Sequence, residues 1–363
     1  MPSILLSAAI AFVVLVFIGL VAIDVIGFAR REQEKRYPNR LFRPKTLVIV
    51  PCKGPDIGLS ENLLSLKNQD YRSFDVVAVL DRESDEAMKA VRAAGIKHVI
   101  SKSSCDRCSG KVRAISTAIE GFRDYDVYAI ADSDIRVGSN WLSQLVAPLA
   151  ERRTGLSTMY PYFNHVGGFW SEVKSVWGMV GEGLMKRESS KFGWGGSLAF
   201  RKELLDKKSF EFLKNSKYSV SDDVCLTLTA KRKGLLIAYT DSAQPVVDTK
   251  DDLGQFWEWA NRQTALSVMG NRSNLYVGMP FYFAESLVIF SGIALSVSVS
   301  PLFLVLLLHT LRNSVIATRR SRQKSAMIIP ISFLLPFIYL ANLAVAGRMK
   351  SIKWRGAVYA LPQ

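Results

Sequence analysis

YAIADSDIRV, Tyr128–Val137, is the stretch on which the reading of this chain turns. An apolar run ends there in two acids one residue apart, Asp132 and Asp134. One reading is a strand that delivers two carboxylates to a cation; the other is an exposed turn. In extended backbone, residues i and i+2 point to the same side, so the pair can converge on one ion. Carboxylate oxygens suit hard ions such as Mg²⁺ or Mn²⁺, which keep open positions for phosphate oxygens and stabilise charge on a departing diphosphate.

Outward from this stretch, TLVIVP (46–51), DVVAVL (75–80), KHVI (97–100) and VYAIA (127–131) are short apolar or β-branched runs. They have the composition of buried parallel strands. Helical patterns separate them: SENLLSLKNQ from Ser60, SDEAMKAVRAAG from Ser84 to Gly95, and GKVRAISTAIEG ending at Gly121. This alternation predicts an α/β domain over 46–275, with an open, mostly parallel, Rossmann-like sheet covered by helices on both faces. Ligands of such sheets sit beyond the carboxyl ends of the strands. Those ends carry PCKGPD (51–56) with Lys53, DRESD (81–85) with Asp81, and DSD (132–134). Neither GxGxxG nor GxxxxGK[ST] occurs, so dinucleotide and P-loop readings lack their fingerprint.

Each candidate also has an ordinary reading. Asp81 is either an acceptor for a base or ribose or a strand-terminal turn acid. Lys111, after Ser-Gly at a helix start, stands where phosphate oxygens meet helix N-terminal amides, or is a solvated lysine. SDDVCLTLTAKRKG (221–234) reads as a helix capped by Ser221. Asp222 and Asp223 in its first turn either complement the helix dipole or offer a general base. The CDRC pair (105–108) reads as a solvated loop rather than a zinc site, since no second CxxC exists, and four cysteines suit a reducing compartment.

The ends of the chain are membranous. Ile4–Phe28 is one apolar run broken only by Asp24, without a basic lead or a small-x-small cleavage site. It reads as a retained anchor, residues 1–28. Phe281–Leu311 is nearly uncharged and divided by Pro301, which suggests a hairpin extended past Leu311; Ala326–Ala346 is a further candidate. Residues 276–347 thus hold two to three spans, four spans in all on the hairpin reading. Pro330 and Pro336 leave room for a broken or re-entrant last segment. FWSEVKSVWGMV (169–180) and GQFWEWANRQTAL (254–266) have the character of interfacial helices, the second anchored by Trp257 and Trp259.

The net charge of +15 does not point to nucleic acid, because it is concentrated beside the apolar runs. Residues 29–45 carry seven Lys/Arg against two Glu, 312–324 carry five and 347–355 four, with no acids in the last two. Basic flanks of this kind follow the positive-inside rule and attraction to anionic headgroups. They place a juxtamembrane segment at 29–45 and a basic tail at 348–363, with the central domain cytosolic and the N-terminus outside. The expected location is a multi-pass protein of the plasma membrane.

In this order the pieces resemble membrane-bound family-two glycosyltransferases with a GT-A-type fold, in particular the ceramide glucosyltransferase branch. The likeness is carried by VIVPCKG, ENLLSLKNQDY, Asp81, DSD, GWGGSLAFRKE (193–203), SDD, the Trp259, Arg262, Gln263 group, and WRGAVY (354–359). It implies an inverting, metal-dependent hexosyltransferase that moves a hexose, glucose from UDP-glucose in that branch, to a lipid hydroxyl. Polyprenyl-phosphate transfer, polysaccharide synthesis and a non-catalytic membrane scaffold are the alternatives. The likeness implies Lys53, Asp81, Lys111 and Asp132 on the donor side, and Asp132 with Asp134 on Mg²⁺ or Mn²⁺. Asp223 or Asp222 would be the base, and Gly195 and Gly196 would lie on the acceptor side. Trp259, Arg262 and Gln263 would stand for the family's Q/R-x-x-R-W helix, from which Glu258 departs because Arg is usual there.

Overall fold

The computed structural model describes residues 2–29, 42–105 and 107–362, so most of the basic segment expected over 29–45 lies outside the described residues. Helix α1 (Pro2–Ala29) comes first. Then follow β1 (Thr46–Cys52), α2 (Leu59–Lys67), β2 (Phe74–Leu80), α3 (Ala87–Ala93), β3 (Lys97–Ile100), α4 (Gly110–Gly121) and β4 (Val127–Ala131). The middle of the chain forms β5 (Ile135–Arg136), α5 (Trp141–Val146), β6 (Thr154–Thr158), β7 (Tyr162–His165), α6 (Phe169–Met185) and β8 (Ser197–Arg201). Next come α7 (Lys207–Asn215), α8 (Asp222–Arg232), β9 (Leu236–Tyr239) and β10 (Val246–Thr249). The last elements are α9 (Leu253–Gly270), α10 (Ser273–Ser298), α11 (Leu308–Arg320), α12 (Ile328–Ala346), β11 (Ser351–Trp354) and β12 (Ala357–Ala360).

Two compact units share these elements. One comprises Glu32–Val166, Val180–Lys250 and Lys350–Gln363 and contains the sheets; the other comprises Met1–Arg31, Gly167–Met179 and Asp251–Met349. The main sheet of the first unit has the order β3-β2-β1-β4-β8-β6-β9. Strands β1 to β4 pair in parallel, and β8 enters antiparallel between β4 and β6. Leu47 and Ile49 of β1 pack in one core with Val112 and Ile115 of α4 and Leu226 of α8. Val48 and Val50, on the opposite face of β1, are equally buried. Burial on both faces is why this strand is continuously apolar rather than alternating. The four strands expected from the sequence form within a residue of their expected bounds.

Three local expectations need correction. Asp132-Ser133-Asp134 is not extended: β4 stops at Ala131, and the Ile135 amide turns back to the Asp132 carbonyl at 3.4 Å. Ser221 does not cap α8 through its side chain; its hydroxyl donates to Asp223 Oδ1, which also accepts from the Val224 amide at 2.7 Å. Cys105 and Cys108 are not free in a solvated loop: they are disulfide-bonded, and both pack against the core. Their Cα atoms lie 5.7 Å apart, within the range a disulfide spans.

The second unit contains the segments long and apolar enough to cross a membrane: Ile4–Ile26, Ser273–Ser298, Pro301–Arg320 and Ile328–Ala346. The break expected at Pro301 is present, with a 3-10 turn over Pro301–Leu307 leading into α11. The break for which Pro330 and Pro336 leave room in the last segment is not. Helix α12 runs unbroken through Pro330 and Pro336. Pro330 sits in the first turn, where its missing N–H costs nothing, and Pro336 removes a single ladder bond. Trp177 of α6 and Trp259 of α9 pack edge to face at 4.9 Å, so these rings are joined to each other rather than simply spread on lipid. Asn342 of α12 accepts from Trp177 Nε1 at 3.1 Å and donates to Asn261 of α9 at 2.8 Å.

Within the basic tail expected over 348–363, residues 351–360 are ordered. Strands β11 and β12 form a hairpin within the sheet-bearing unit, with Ile352 opposite Tyr359 and Trp354 opposite Ala357. Its two turn residues, Arg355 and Gly356, both have positive φ, 49° and 79°. Such two-residue turns match the twist of a hairpin and ordinarily recruit Asn, Asp or Gly.

Candidate active site

The carboxyl ends of β1, β2 and β4 lie side by side because these strands are neighbours in the parallel half of the sheet. Asp81, one residue past β2, pairs with Lys53, one residue past β1, at 3.1 Å. Past β4, the Asp132 amide donates to the Gly196 carbonyl at 3.1 Å, which joins the DSD turn to the glycine loop before β8. Asp132 and Asp134 are half-buried, whereas Ser133 between them is buried and donates to Asp56 Oδ2 at 2.5 Å. The turn therefore still presents its two carboxylates apart from Ser133, by a route other than strand alternation.

Lys111 connects the two sides of this site. It is the second residue of α4, whose N-cap Ser109 accepts from the Val112 amide at 3.2 Å. Its ammonium lies 2.7 Å from Asp132 Oδ1 and 3.4 Å from Asp222 Oδ1, with only a tenth of the side chain exposed. Burial alone would push this ammonium down, but Asp132, Asp222 and Asp223 together hold it above its ordinary value. The solvated-lysine alternative is thereby removed.

Asp222 and Asp223 are adjacent but unlike. Asp222 is 2% exposed, and its Oδ2 has no hydrogen-bond partner among the described residues. Burial pushes its carboxyl up to about 7, opposed by Lys111 and reinforced by Asp223 and Asp132. Asp223 is half-buried and accepts from the Gly195 amide at 3.4 Å. Gly195 lies so close that a Cβ there would stand 2.8 Å from both Asp222 Oδ2 and Lys111 Nζ. At Gly196 a Cβ would enter the Trp194 indole at 2.2 Å. The GWGG loop is thus held against the start of α8 by close approach that only glycine permits. The Gly193 and Trp194 amides anchor it on Thr227 and Thr158 at 2.8 and 2.9 Å.

Lys53, Asp81, Lys111, Asp132, Asp134, Gly195, Gly196, Asp222 and Asp223 all belong to the sheet-bearing unit. Trp259, Arg262 and Gln263 do not; they lie on α9 of the other unit. Several residues at the strand ends were not singled out from the sequence. Asp85 accepts from the Gly54 and Ala87 amides, each at 2.9 Å, and fixes the loop after β1. Asp56 holds Ser133 and also Arg355 of the C-terminal hairpin. The signal for Arg355 was an arginine preceding glycine in a two-residue turn.

Among the described residues, no group of three or more His, Cys, Asp and Glu side chains is placed to hold a metal ion. The two half-buried carboxylates of the DSD turn nevertheless fit a hard cation whose remaining ligands are phosphate oxygens and water. Two carboxylates alone would leave such an ion's coordination sphere to be completed by ligands from outside the chain.

Comparisons with known proteins bear on the family and the fold. A model of glycosyl transferase family 21 matches residues 8–363. No curated protein matches the chain. Among solved structures, a mannosyltransferase from Pyrobaculum calidifontis in complex with GDP-Man and Mn²⁺ superposes with a TM-score of 0.57 at 16% identity. That likeness covers 91% of this chain and 98% of the other. Glucosyl-3-phosphoglycerate synthase from Mycobacterium tuberculosis, with Mn²⁺, UDP-Glc and phosphoglyceric acid, is a looser match. Its TM-score is 0.46 at 16% identity, covering 66% of this chain and 85% of that one. The sheet-bearing unit therefore has a GT-A-like fold.

Proposed function

The chain belongs to glycosyl transferase family 21, and on that premise we propose that it transfers a hexose, glucose from UDP-glucose, to a lipid hydroxyl at the cytosolic face of the plasma membrane. The observation that carries this reading is the buried Lys111 ammonium, which joins Asp132 at the donor edge to Asp222 at the start of α8. In this proposal Asp81 and Lys53 meet the nucleoside end of the donor, and Lys111 faces its diphosphate. Asp132 and Asp134 would hold Mg²⁺ or Mn²⁺. When bound, that ion neutralises charge on the leaving diphosphate. Trp259, Arg262 and Gln263 remain donor-binding candidates on α9.

Asp223 is the proposed base. Its half-buried position lets an acceptor hydroxyl reach it, whereas Asp222, 2% exposed and engaged by Lys111, is suited to hold that lysine. The acceptor proton passes to Asp223 as the acceptor oxygen bonds to the anomeric carbon. The bond from that carbon to the diphosphate oxygen breaks with its electron pair on the diphosphate, so configuration inverts in one displacement. Gly195 and Gly196 line the acceptor side, and the apolar helices of the second unit suit a lipid acceptor.

Asp132→Ala and Asp223→Ala are expected to lower transfer by about 10²–10⁴-fold with folding and membrane extraction unchanged. Products formed from UDP-glucose and a native lipid extract are read by mass spectrometry. Full transfer by both variants, or a product on a polyprenyl phosphate, refutes this assignment.

A further inference from the structure

The C-terminal hairpin touches both banks of the donor edge through hydrogen bonds from Arg355 and Tyr359 to residues of the sheet-bearing unit. At its tip, Arg355 Nη2 donates to Asp56 Oδ1 at 2.5 Å and Nη1 to the Lys53 carbonyl at 3.1 Å. Asp56 in turn accepts from Ser133, the residue between the two acids of the DSD turn. The opposite bank is reached through Tyr359, whose hydroxyl oxygen accepts from the Gly110 amide at 3.2 Å. Gly110 is the first residue of α4 and immediately precedes Lys111; a Cβ on it would stand 3.7 Å from Asp81.

Arg355 is also the one residue other than glycine with positive φ among the described residues. L side chains rarely adopt that backbone, and where it persists it clusters at ligand sites. The surroundings explain what a cation does there. Burial opposes the guanidinium charge, but Asp56, Asp134 and Asp132 together favour it, so its field overlaps that of the DSD turn. A guanidinium carries five N–H donors in a planar fork that matches phosphate oxygens. Its contacts with Asp56 and Lys53 engage part of that fork and orient the rest.

We propose that Arg355 is a donor-binding residue whose guanidinium takes the diphosphate of the nucleotide sugar, with Tyr359 seating the hairpin on α4. This rests on the donor site proposed above and adds to it a cation from the far end of the chain. Asp56 positions the guanidinium, and Tyr359 fixes the hairpin beside Lys111.

The test uses the full chain in detergent with Mn²⁺, titrated with UDP and GDP and then with UMP and GMP. Arg355→Ala is expected to weaken binding of the preferred nucleoside diphosphate about 10- to 100-fold. The corresponding monophosphate should lose less than about 3-fold, because the lost contact lies on the second phosphate. Arg355→Lys, which keeps the charge and loses the fork, should fall between wild type and Arg355→Ala. Thermal unfolding identifies a variant that has lost its fold, in which case Arg355→Lys decides. Unchanged diphosphate affinity in a folded variant, or equal losses for monophosphate and diphosphate, overturns the role of Arg355 while leaving the donor site intact. A wild-type chain that binds neither UDP nor GDP overturns the donor site itself, and the Arg355 proposal with it.

Discussion

Replacing Lys111 by Met keeps most of the side-chain volume but removes the ammonium between Asp132 and Asp222. The consequence should depend on pH, and its size follows from Asp222. The Asp222 carboxyl is raised to about 7, chiefly by burial and against the opposing pull of Lys111. Between the ordinary carboxylate range and that value, the folded chain binds more protons than the unfolded one. Stability therefore falls as pH rises across that window, and in the wild type the fall ends near 7. Without Lys111 the carboxyl rises further, so the fall continues above 7.

Below pH 7, where burial favours the protonated Asp222 carboxyl, the substitution removes chiefly the 2.7 Å pair with Asp132 and costs about 2 kcal/mol, the size of a hydrogen bond to a charged group. Above pH 7 the cost grows as pH rises, because in the variant the folded chain still holds the Asp222 proton that the unfolded chain has released. By pH 9 it approaches the roughly 3–5 kcal/mol typical of breaking a buried ion pair. The assay is the thermal midpoint of purified protein in detergent from pH 6 to 9, reported as wild type minus Lys111→Met. The same comparison in an Asp222→Asn background should lose its pH slope, because the titrating group is gone. A difference independent of pH, or a slope that survives Asp222→Asn, would refute the reasoning.

Two further outcomes follow. Gly195→Ala places a methyl group 2.8 Å from both Asp222 Oδ2 and Lys111 Nζ, so it should lower transfer about 100-fold through misplacement of those groups and lower stability by about 1–3 kcal/mol, as overpacking does. Steady-state rates beside melting curves check this, and a fully active variant would show that the loop yields. The second concerns topology. Lys250 and Lys350 belong to one compact unit, so an even number of bilayer crossings is expected between them, although three segments long and apolar enough to span lie in 251–349. Ile328, Ile331, Leu335 and Ile338 of α12 pack with Val173 and Trp177 of α6 and Phe256 of α9. Basic clusters at 312–324 and 347–355 flank α12 and favour one side of the membrane. Ser325→Cys and Ser351→Cys should therefore react with an impermeant maleimide from the same side of sealed vesicles; labelling from opposite sides would mean that α12 crosses.

Much of the fold was legible in the order of residues. The strand runs of β1 to β4 could be read because burial on both faces of a parallel sheet selects unbroken apolar segments. Glycine stops and capping residues bounded the helices between them. The strand-end acids followed from the sheet, since ligands gather beyond the carboxyl ends. Where local reading failed, a tertiary partner had intervened. Alternation predicts an extended DSD segment, but a turn forms there instead, with Ser133 drawn inward by Asp56 from a loop 77 residues away. Ser221 looked like a helix cap but is claimed by Asp223.

By itself, the sequence determined the alternation of strands and helices, the placing of acids at strand ends and the long apolar segments towards both termini. These depend on periodicity and composition, which are local. Only the tertiary structure decided which charges meet. It brought Lys111 between Asp132 and Asp222, folded Gly195 against both groups, and set Arg355 beside Asp56, 299 residues earlier in the chain. The physical reason is that a charge acts through distance and desolvation. A run of residues specifies neither until the core has packed.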